Sequence, residues 1–276
     1  MNSENGRLLR FTLGQRLFHL VLMLCFLIQA TTGLGRMYHE TAWGQSLGWL
    51  FGGFESALRV HIYVGIFMIA AFLAHMVYLL GTIHWRRFPS CIVGPDSLVP
   101  SINDLANLLK HTGWILGLRH HPPLDRWSYW EKFDYWAVFW GMIILGGTGF
   151  LLAFPLLSSQ YIPGWGLNIA FWIHRIESLL AMAHIFVIHF FIAHLRRTSF
   201  PMDLAIFEGS VPLETVLHER PAWIARLKES GRFYLCLVAE ASPLRRTAFY
   251  VFGYLAVATG FYLLIGALIN SARITW

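Results

Sequence analysis

Two long apolar runs of this chain each carry a pair of histidines about four helical turns apart. His75 follows His61 at position i+14, and His189 follows His174 at position i+15. At about 1.5 Å and about 100° per residue, each spacing puts two imidazoles roughly 21–23 Å apart on broadly one helix face. An unpaired polar ring in hydrocarbon is costly, so a histidine within a membrane span indicates a functional site. The spacing suits two haems stacked across a bilayer, each bound from facing helices.

The composition predicts a membrane protein. Hydrophobic residues make up 56% of the chain and charged residues 13%, whereas about 25% of a soluble domain is charged. The formal net charge of +6 does not indicate nucleic-acid binding, because the basic residues lie in short loops beside the apolar runs. The cysteines show no CxxC, CxxCH or paired spacing, which argues against covalent c-type haem and iron–sulfur clusters within this chain. They are Cys25, Cys91 and Cys236.

Five runs of about 20 apolar residues predict transmembrane helices. They cover 16–36, 58–82, 131–155, 170–194 and 247–270. We therefore expect an all-α integral membrane fold, a four-helix transmembrane haem-binding bundle plus a fifth C-terminal transmembrane helix. The expected regions are the bundle in 1–199, a cytoplasmic segment in 200–246 and the fifth helix in 247–276. Two further helices are expected, a short one near 102–116 and an amphipathic one near 222–237.

Lysine and arginine residues predict the orientation of these helices. Seventeen of them, Arg197 included, lie in the N-terminal segment or in the connections that follow the second and fourth spans. Only Arg36, Arg59, Arg175 and Arg273 fall on the other side. The first side is predicted to be cytoplasmic, so we expect the N-terminus inside and the C-terminus outside.

This orientation predicts the depth of each histidine. His61 and His174 lie near the outer face and form the expected ligand pair of an outer haem. His189 lies near the inner face, as do His19 and His75. Haem b needs two axial ligands, so either His19 or His75 completes the inner site.

Small and basic residues near these histidines are candidate contacts of the same cofactors. Gly65 lies one turn from His61, where it lets a helix approach a flat macrocycle or another helix closely. Arg59 and Arg175 flank the outer ligands, and Arg16 lies near the inner end of the first span. These arginines are candidates to pair with haem propionates.

Four motifs lie in the first four apolar runs or at their ends. They are Gln15–His19 followed by Thr32-Gly33, Val60-His61 with Gly65, Trp127–Lys132 leading to Gly147–Gly149, and Ile173-His174 with Ile188-His189. Together they resemble the cytochrome b (gamma) subunits of membrane-bound formate dehydrogenases and the related cytochromes b of nickel–iron hydrogenases and thiosulfate reductases. The fourth motif, continued to Pro201-Met202-Asp203, also resembles cytochromes b found beside multihaem cytochromes c.

The resemblance implies two haems b in a bacterial or archaeal cytoplasmic (inner) membrane. It implies His61 and His174 as the metal ligands of one haem, and His19 and His189 as those of the other, which favours His19 over His75. Three features depart from the family. The histidines of the fourth span stand at i and i+15 where the family has i and i+14, and a fifth span follows the usual four. His75 is also present, at a spacing from His61 that resembles the four-helix cores of bc-type cytochromes b, so the fourth ligand stays open between His19 and His75.

The expected function is that of an electron-transfer subunit rather than a catalytic subunit, and no catalytic residue is assigned. The short outer connections have no room for a catalytic domain, so an iron–sulfur or multihaem cytochrome c subunit is expected on the outer face. Menaquinone or ubiquinone is the expected partner near the inner face, between the inner haem and the start of the third span. The resemblance points to Ser128, Tyr129, Glu131 and Lys132 as quinone contacts, with a carboxylate there to relay protons.

Two alternatives differ from this expectation. One is a self-contained transmembrane haem b reductase of an external acceptor, against which the short outer connections argue. The other is a haem-free transporter that uses its histidines for protons.

Overall fold

The structure, a computed structural model, describes residues 6–196 and 199–274. Arg197, counted above for the orientation, lies outside the described residues. The helices in chain order are α1 (Leu13–Met37), α2 (Ala42–Trp49), α3 (Phe54–Thr82), α4 (Ser90–Val93), α5 (Ile102–Ile115), α6 (Tyr129–Ala153), α7 (Pro155–Ser158), α8 (Gly164–Ala183), α9 (Ala205–Glu208), α10 (Leu213–Glu219), α11 (Pro221–Glu229) and α12 (Pro243–Ile269). Three strands are β1 (Arg7–Leu9), β2 (Ser210–Pro212) and β3 (Leu237–Val238).

Five helices are long and apolar enough to cross a membrane, which confirms the predicted all-α membrane fold. They are α1, α3, α6, the continuous helix from α8 to Leu195, and α12. The predicted spans agree with them to within a few residues at most ends. The largest difference is the fourth span, which begins at Gly164, directly after Pro163, rather than at 170.

The described residues form two compact units. Unit 1 takes its described residues from Met1–Arg16, Val77–Phe139 and Leu204–Thr247. Unit 2 takes them from Leu17–Met76, Trp140–Asp203 and Ala248–Trp276. Each unit combines segments that are distant in the sequence, so this division differs from the sequential one expected at 199 and 246.

Unit 1 contains a small antiparallel sheet that the sequence analysis did not anticipate. The strand order is β2-β1-β3, and Leu8 lies opposite both Val211 and Leu237. Gly209 has a φ of +87°, which favours glycine. Its carbonyl accepts hydrogen bonds from the backbone N–H groups of Arg10 at 2.7 Å and Phe11 at 2.9 Å. A core of buried residues lies around Leu8 and includes Ala205, Val211, Val216, Trp223, Ile224 and Leu227.

Two shorter helices of unit 1 test the sequence expectations. Helix α5 agrees with the expected 102–116, and the N–H of Ser101 donates to the carboxylate of Asp104 at its start, at 2.7 Å. Helix α11 ends at Glu229, well before the expected 237. Gly231, two residues after the end of α11, has a φ of +68°. A glycine in the left-handed conformation commonly terminates a helix, which accounts for this earlier end.

Unit 2 holds most of the membrane-spanning residues, and its core joins residues of α1, α2, the fourth span and α12. The core residues are Ala30, Leu34, Met37, Tyr38, Leu47, Met182, Phe186, Phe190 and Leu263. Helix α12 packs here through small residues. A Cβ on Gly260 would lie 2.5 Å from the ring of Phe190, and one on Gly266 would lie 2.3 Å from Trp43. Small residues allow this close approach of membrane helices.

Candidate haem-binding site

His61 on α3 and His174 on α8 face each other within unit 2. Their ring centres are 6.2 Å apart, and the ring planes are inclined by 76°. Two imidazole–metal bonds of about 2 Å, plus about 1 Å from each ring centre to its nitrogen, place trans ligands about 6 Å apart. The separation of these two rings therefore fits one haem iron between them.

A threonine on a neighbouring membrane helix contacts Nδ1 of each imidazole ring. The hydroxyl oxygen of Thr32 lies 2.9 Å from Nδ1 of His61, and that of Thr148 lies 3.0 Å from Nδ1 of His174. Each hydroxyl donates its own proton along its helix, from Thr32 to the carbonyl of Ile28 at 2.7 Å and from Thr148 to that of Ile144 at 2.6 Å.

The glycine after each threonine leaves space for the imidazole. A Cβ on Gly33 would lie 3.4 Å from Cε1 of His61, and one on Gly149 would lie 3.1 Å from Cε1 of His174. Gly65 has a different neighbour. A Cβ there would lie 2.8 Å from Nε2 of Gln29, an amide that donates to the carbonyl of His61 at 2.9 Å.

A second pair of imidazoles, His19 and His189, has nearly the same separation. Their ring centres are 6.3 Å apart, so this pair fits a second iron by the same measure. His75 instead stacks on Phe18, with ring centres 4.1 Å apart and planes inclined by 14°. The structure brings His19, rather than His75, opposite His189.

The fourth span is not a regular α-helix around His189. It continues from α8 as π-helix over His184–His189 and Phe191–Leu195. Hydrogen bonds of the i→i+5 type accommodate extra residues in a helix and are frequent at functional sites. The i to i+15 spacing of His174 and His189 falls across this segment. The ring centre of His194 lies 6.4 Å from that of His189 within the same segment.

The arginines expected near the haems have identifiable contacts. Arg59 is exposed and donates to the hydroxyl of Ser56 at 3.0 Å. The guanidinium of Arg175 lies 5.1 Å from the ring centre of Phe171. Arg16 belongs to unit 1, where it donates to the carbonyl of Phe207.

In the sequence, the charge of Arg36 contributed only to the predicted orientation of the helices. In the structure, Arg36 lies at a cavity. It lines a cavity of about 310 Å³ in unit 2, together with His39, Trp49 and Phe54. Its guanidinium lies 4.8 Å from the ring centre of Phe54. A cation one turn after the Thr32-Gly33 pair is a further candidate to receive a carboxylate of a bound cofactor.

Three of the four residues expected to contact quinone are bonded to neighbouring groups of unit 1, Ser128 and Glu131 in one network and Lys132 in a separate ion pair. Oε1 of Glu131 accepts from Arg10 at 2.5 Å and from Arg220 at 3.0 Å. Oε2 accepts from the backbone N–H of Ser128 at 2.9 Å and from its hydroxyl at 2.8 Å. A carboxylate has about four acceptor positions, so the network uses all of those of Glu131. Lys132 is buried and pairs with Asp104 at 2.9 Å.

Tyr129, the fourth of these residues, lies in an aromatic cluster of the same unit. Its hydroxyl is 3.0 Å from Nδ1 of His111. The ring of His111 lies 5.2 Å from both Trp114 and Trp130, and Trp114 lies 5.0 Å from His121. This half-buried cluster offers flat rings and a polar hydroxyl, which suits an aromatic headgroup.

A second charged network of unit 1 lies outside the membrane spans. Arg226 pairs with Asp96 at 2.7 Å and with Asp125 at 2.7 Å, and Arg126 lies 3.5 Å from Asp96. Burial opposes ionisation of Asp96, but the hydrogen bond and charge of Arg226 outweigh it and hold the pKa of Asp96 below its usual range. The hydrogen bond that Arg226 donates to the carboxylate of Asp96 raises the pKa of Arg226, although burial opposes this.

Comparison with known proteins connects this geometry to a family. The model of the family described as prokaryotic cytochrome b561 matches residues 10–201. The chain is also similar to the formate dehydrogenase cytochrome b556 subunit of Haemophilus influenzae, with 25% identity over 223 residues. That alignment covers 80% of this chain and 84% of the relative.

Proposed function

The chain belongs to the prokaryotic cytochrome b561 family, and we propose that it is the di-haem b membrane subunit of a respiratory oxidoreductase complex. Membership of the family makes it a multi-pass membrane protein that binds haem b and transfers electrons. The number of haems is our proposal. It is supported by the two facing imidazole pairs, whose ring centres are 6.2 and 6.3 Å apart.

Each bound haem b supplies a one-electron carrier whose potential depends on its axial ligands and their hydrogen bonds. We assign His61 and His174 as the ligands of one haem and His19 and His189 as those of the other. An added Cβ at Gly149 would lie closer to the imidazole of His174 than an ordinary contact, at 3.1 Å, whereas one at Gly33 would lie 3.4 Å from that of His61. In this assignment His75 packs against Phe18 and is not a ligand.

We further propose that the complex connects an outer-face redox partner with the quinone pool. The name of the Haemophilus influenzae relative indicates a subunit of a larger enzyme, which supports a partner subunit carrying iron–sulfur clusters or multihaem cytochrome c. The positive-inside rule supports a cytoplasmic N-terminus and places the His61–His174 pair nearer the outer face.

The quinone contact that we propose is Tyr129, at the beginning of the third span. Its hydroxyl and His111 provide a hydrogen-bonding pair beside the rings of Trp114 and Trp130. We propose that Ser128, Glu131 and Lys132 support this site structurally. Their polar groups are bonded to neighbouring protein groups. Menaquinone and ubiquinone both have a ring that fits such a cluster.

The haem content of the purified complex tests the proposal. We expect two haems b per chain by pyridine haemochrome analysis, and one after His61→Ala or His174→Ala. The control is His84→Ala, which changes an exposed histidine outside both imidazole pairs and should leave two haems. A wild-type ratio of one, or two haems in His61→Ala, would overturn the di-haem assignment.

A second measurement tests for the partner subunit and distinguishes the proposed complex from a self-contained reductase. Native purification should retain a redox subunit that reduces the haems before quinone is added. If the isolated chain instead reduces an external acceptor at the rate of the native membrane, the self-contained reductase is the better description.

A further inference from the structure

We propose that Thr32 and Thr148 are paired positioning residues that select the tautomer of both histidines at the His61–His174 site and lower the reduction potential of the haem bound there. The inference rests on the proposed function, because it takes these two histidines as axial ligands. Both threonines belong to the Thr-Gly motifs of the first and third spans, and the sequence assigned neither of them a separate role.

The direction of the threonine hydrogen bonds determines which tautomer each histidine adopts. A hydroxyl has one proton, and each threonine points that proton at carbonyls of its own helix, Thr32 at Ile28 and Thr148 at Ile144. The threonine oxygen therefore faces Nδ1 of the histidine as an acceptor. Nδ1 must then carry the ring proton, which leaves the Nε2 lone pair free for a metal.

The repetition of the arrangement argues against coincidence. Thr32-Gly33 on α1 contacts the histidine of α3, and Thr148-Gly149 on α6 contacts that of α8. The contacts at Nδ1 are nearly equal in length, at 2.9 and 3.0 Å. Thr32 is completely buried, so its hydroxyl has no water to bond in place of these partners.

The reduction potential of the haem is expected to depend on the ring proton that each histidine donates to its threonine. A ligating histidine that donates its other ring proton becomes more basic at the metal-bound nitrogen. A more basic ligand stabilises the oxidised iron, so removal of the acceptor raises the reduction potential.

Potentiometric titration of the complex, followed in the haem absorption bands, tests this. We expect Thr32→Val and Thr148→Val each to increase the ratio of reduced to oxidised haem about threefold at fixed potential, and the double variant about tenfold. Tenfold corresponds to about 59 mV for a one-electron couple. The other haem should keep its potential, and serine at either position should restore the wild-type value.

Thr31→Val is the matched control. Thr31 is the neighbouring buried threonine, and its hydroxyl donates to the carbonyl of Leu27 at 2.7 Å in the same way. It should leave both potentials unchanged. If a valine variant incorporates no haem, the alanine variant at that position provides the measurement.

The outcomes separate this inference from the proposed function. Unshifted potentials in both valine variants, with one haem lost in His61→Ala, would overturn the role of the threonines and leave the haem ligands standing. Two haems retained in His61→Ala would instead overturn the ligand assignment. Equal shifts in Thr31→Val would show a general packing effect and overturn the inference.

Discussion

The ring centres of His19 and His189 lie 6.3 Å apart, nearly the same as the 6.2 Å that separates those of His61 and His174. The first pair joins a histidine near the start of α1 to one in the π-helical part of the fourth span. The repeated distance is the main structural support for two equivalent bis-histidine sites.

His19 and His75 are expected to differ in haem binding. His19→Ala should remove one haem per chain and retain the one bound by His61 and His174. His75→Ala should retain both, because its ring stacks on Phe18. Haem-to-protein ratios of the two purified variants measure this. The reverse pattern would make His75 the ligand.

Glu131→Gln is expected to weaken unit 1. The substitution removes the negative charge shared by Arg10 and Arg220, two side chains that are 5% exposed. Breaking a buried ion pair costs about 3–5 kcal/mol, and we expect the lower end because 23% of the Glu131 side chain is exposed. Thermal unfolding of the detergent-solubilised protein should show a lower Tm.

The control for that measurement is Glu229→Gln, at an exposed position on α11. It should leave Tm within about a degree of wild type, since most surface substitutions change stability by less than about 0.5 kcal/mol. An unchanged Tm with slowed quinone turnover in Glu131→Gln would contradict the anchoring role and favour a proton relay.

Tyr129→Phe tests the quinone contact. The variant loses the hydroxyl that lies 3.0 Å from His111 but keeps the ring. We expect quinone turnover to fall about tenfold, which corresponds to about 1.4 kcal/mol, with both haems retained. Tyr161→Phe changes an exposed tyrosine and serves as the control. Unaltered turnover and inhibitor affinity in Tyr129→Phe would exclude this contact.

The network around Asp96 should make stability depend on acid pH. The pKa of Asp96 is below its usual range in the folded protein. Its contribution is therefore complete above the unfolded value of about 3.9 and disappears as pH falls through the folded value. The side chain is 45% exposed, so the contribution is about 1 kcal/mol or less.

Asp96→Asn provides the comparison. The variant should have a lower Tm than wild type at pH 6, and the two Tm values should converge as the pH falls below the unfolded value of about 3.9. A difference in Tm that stays constant over this range would show that the charge of Asp96 does not contribute.

Gly260→Ala should loosen the packing of α12. The new methyl group would lie 2.5 Å from Phe190 and 2.7 Å from Phe186, and overpacking of this kind costs about 1–3 kcal/mol. Gly141→Ala is the matched control, because that glycine also lies in a membrane helix and has no atom within 4 Å of the added Cβ. We expect a lower Tm only for Gly260→Ala. Equal Tm values would mean that the aromatic rings move aside without cost.

The helices and their approximate ends could be read from the chain because membrane insertion depends on the local length of apolar sequence. All five spans lie within a few residues of the expected positions apart from the start at Gly164. The histidines could be found for the same reason, since a polar ring in an apolar run is visible without a fold. The sheet could not, because β1 lies near the N-terminus whereas its partners β2 and β3 both follow the fourth span.

Tertiary structure was needed for everything that depends on how helices are rotated against one another. Sequence spacing left His19 and His75 as equal partners of His189, and the resemblance favoured His19. The packed rings bring His19 opposite His189 and stack His75 on Phe18. The π-helical segment after Ala183 changes which side chains share a face, and it contains the contact between His189 and His194. Hydrogen bonds across helices made Thr32 and Thr148 partners of the histidines, because a bond between distant residues exists only once their helices are packed.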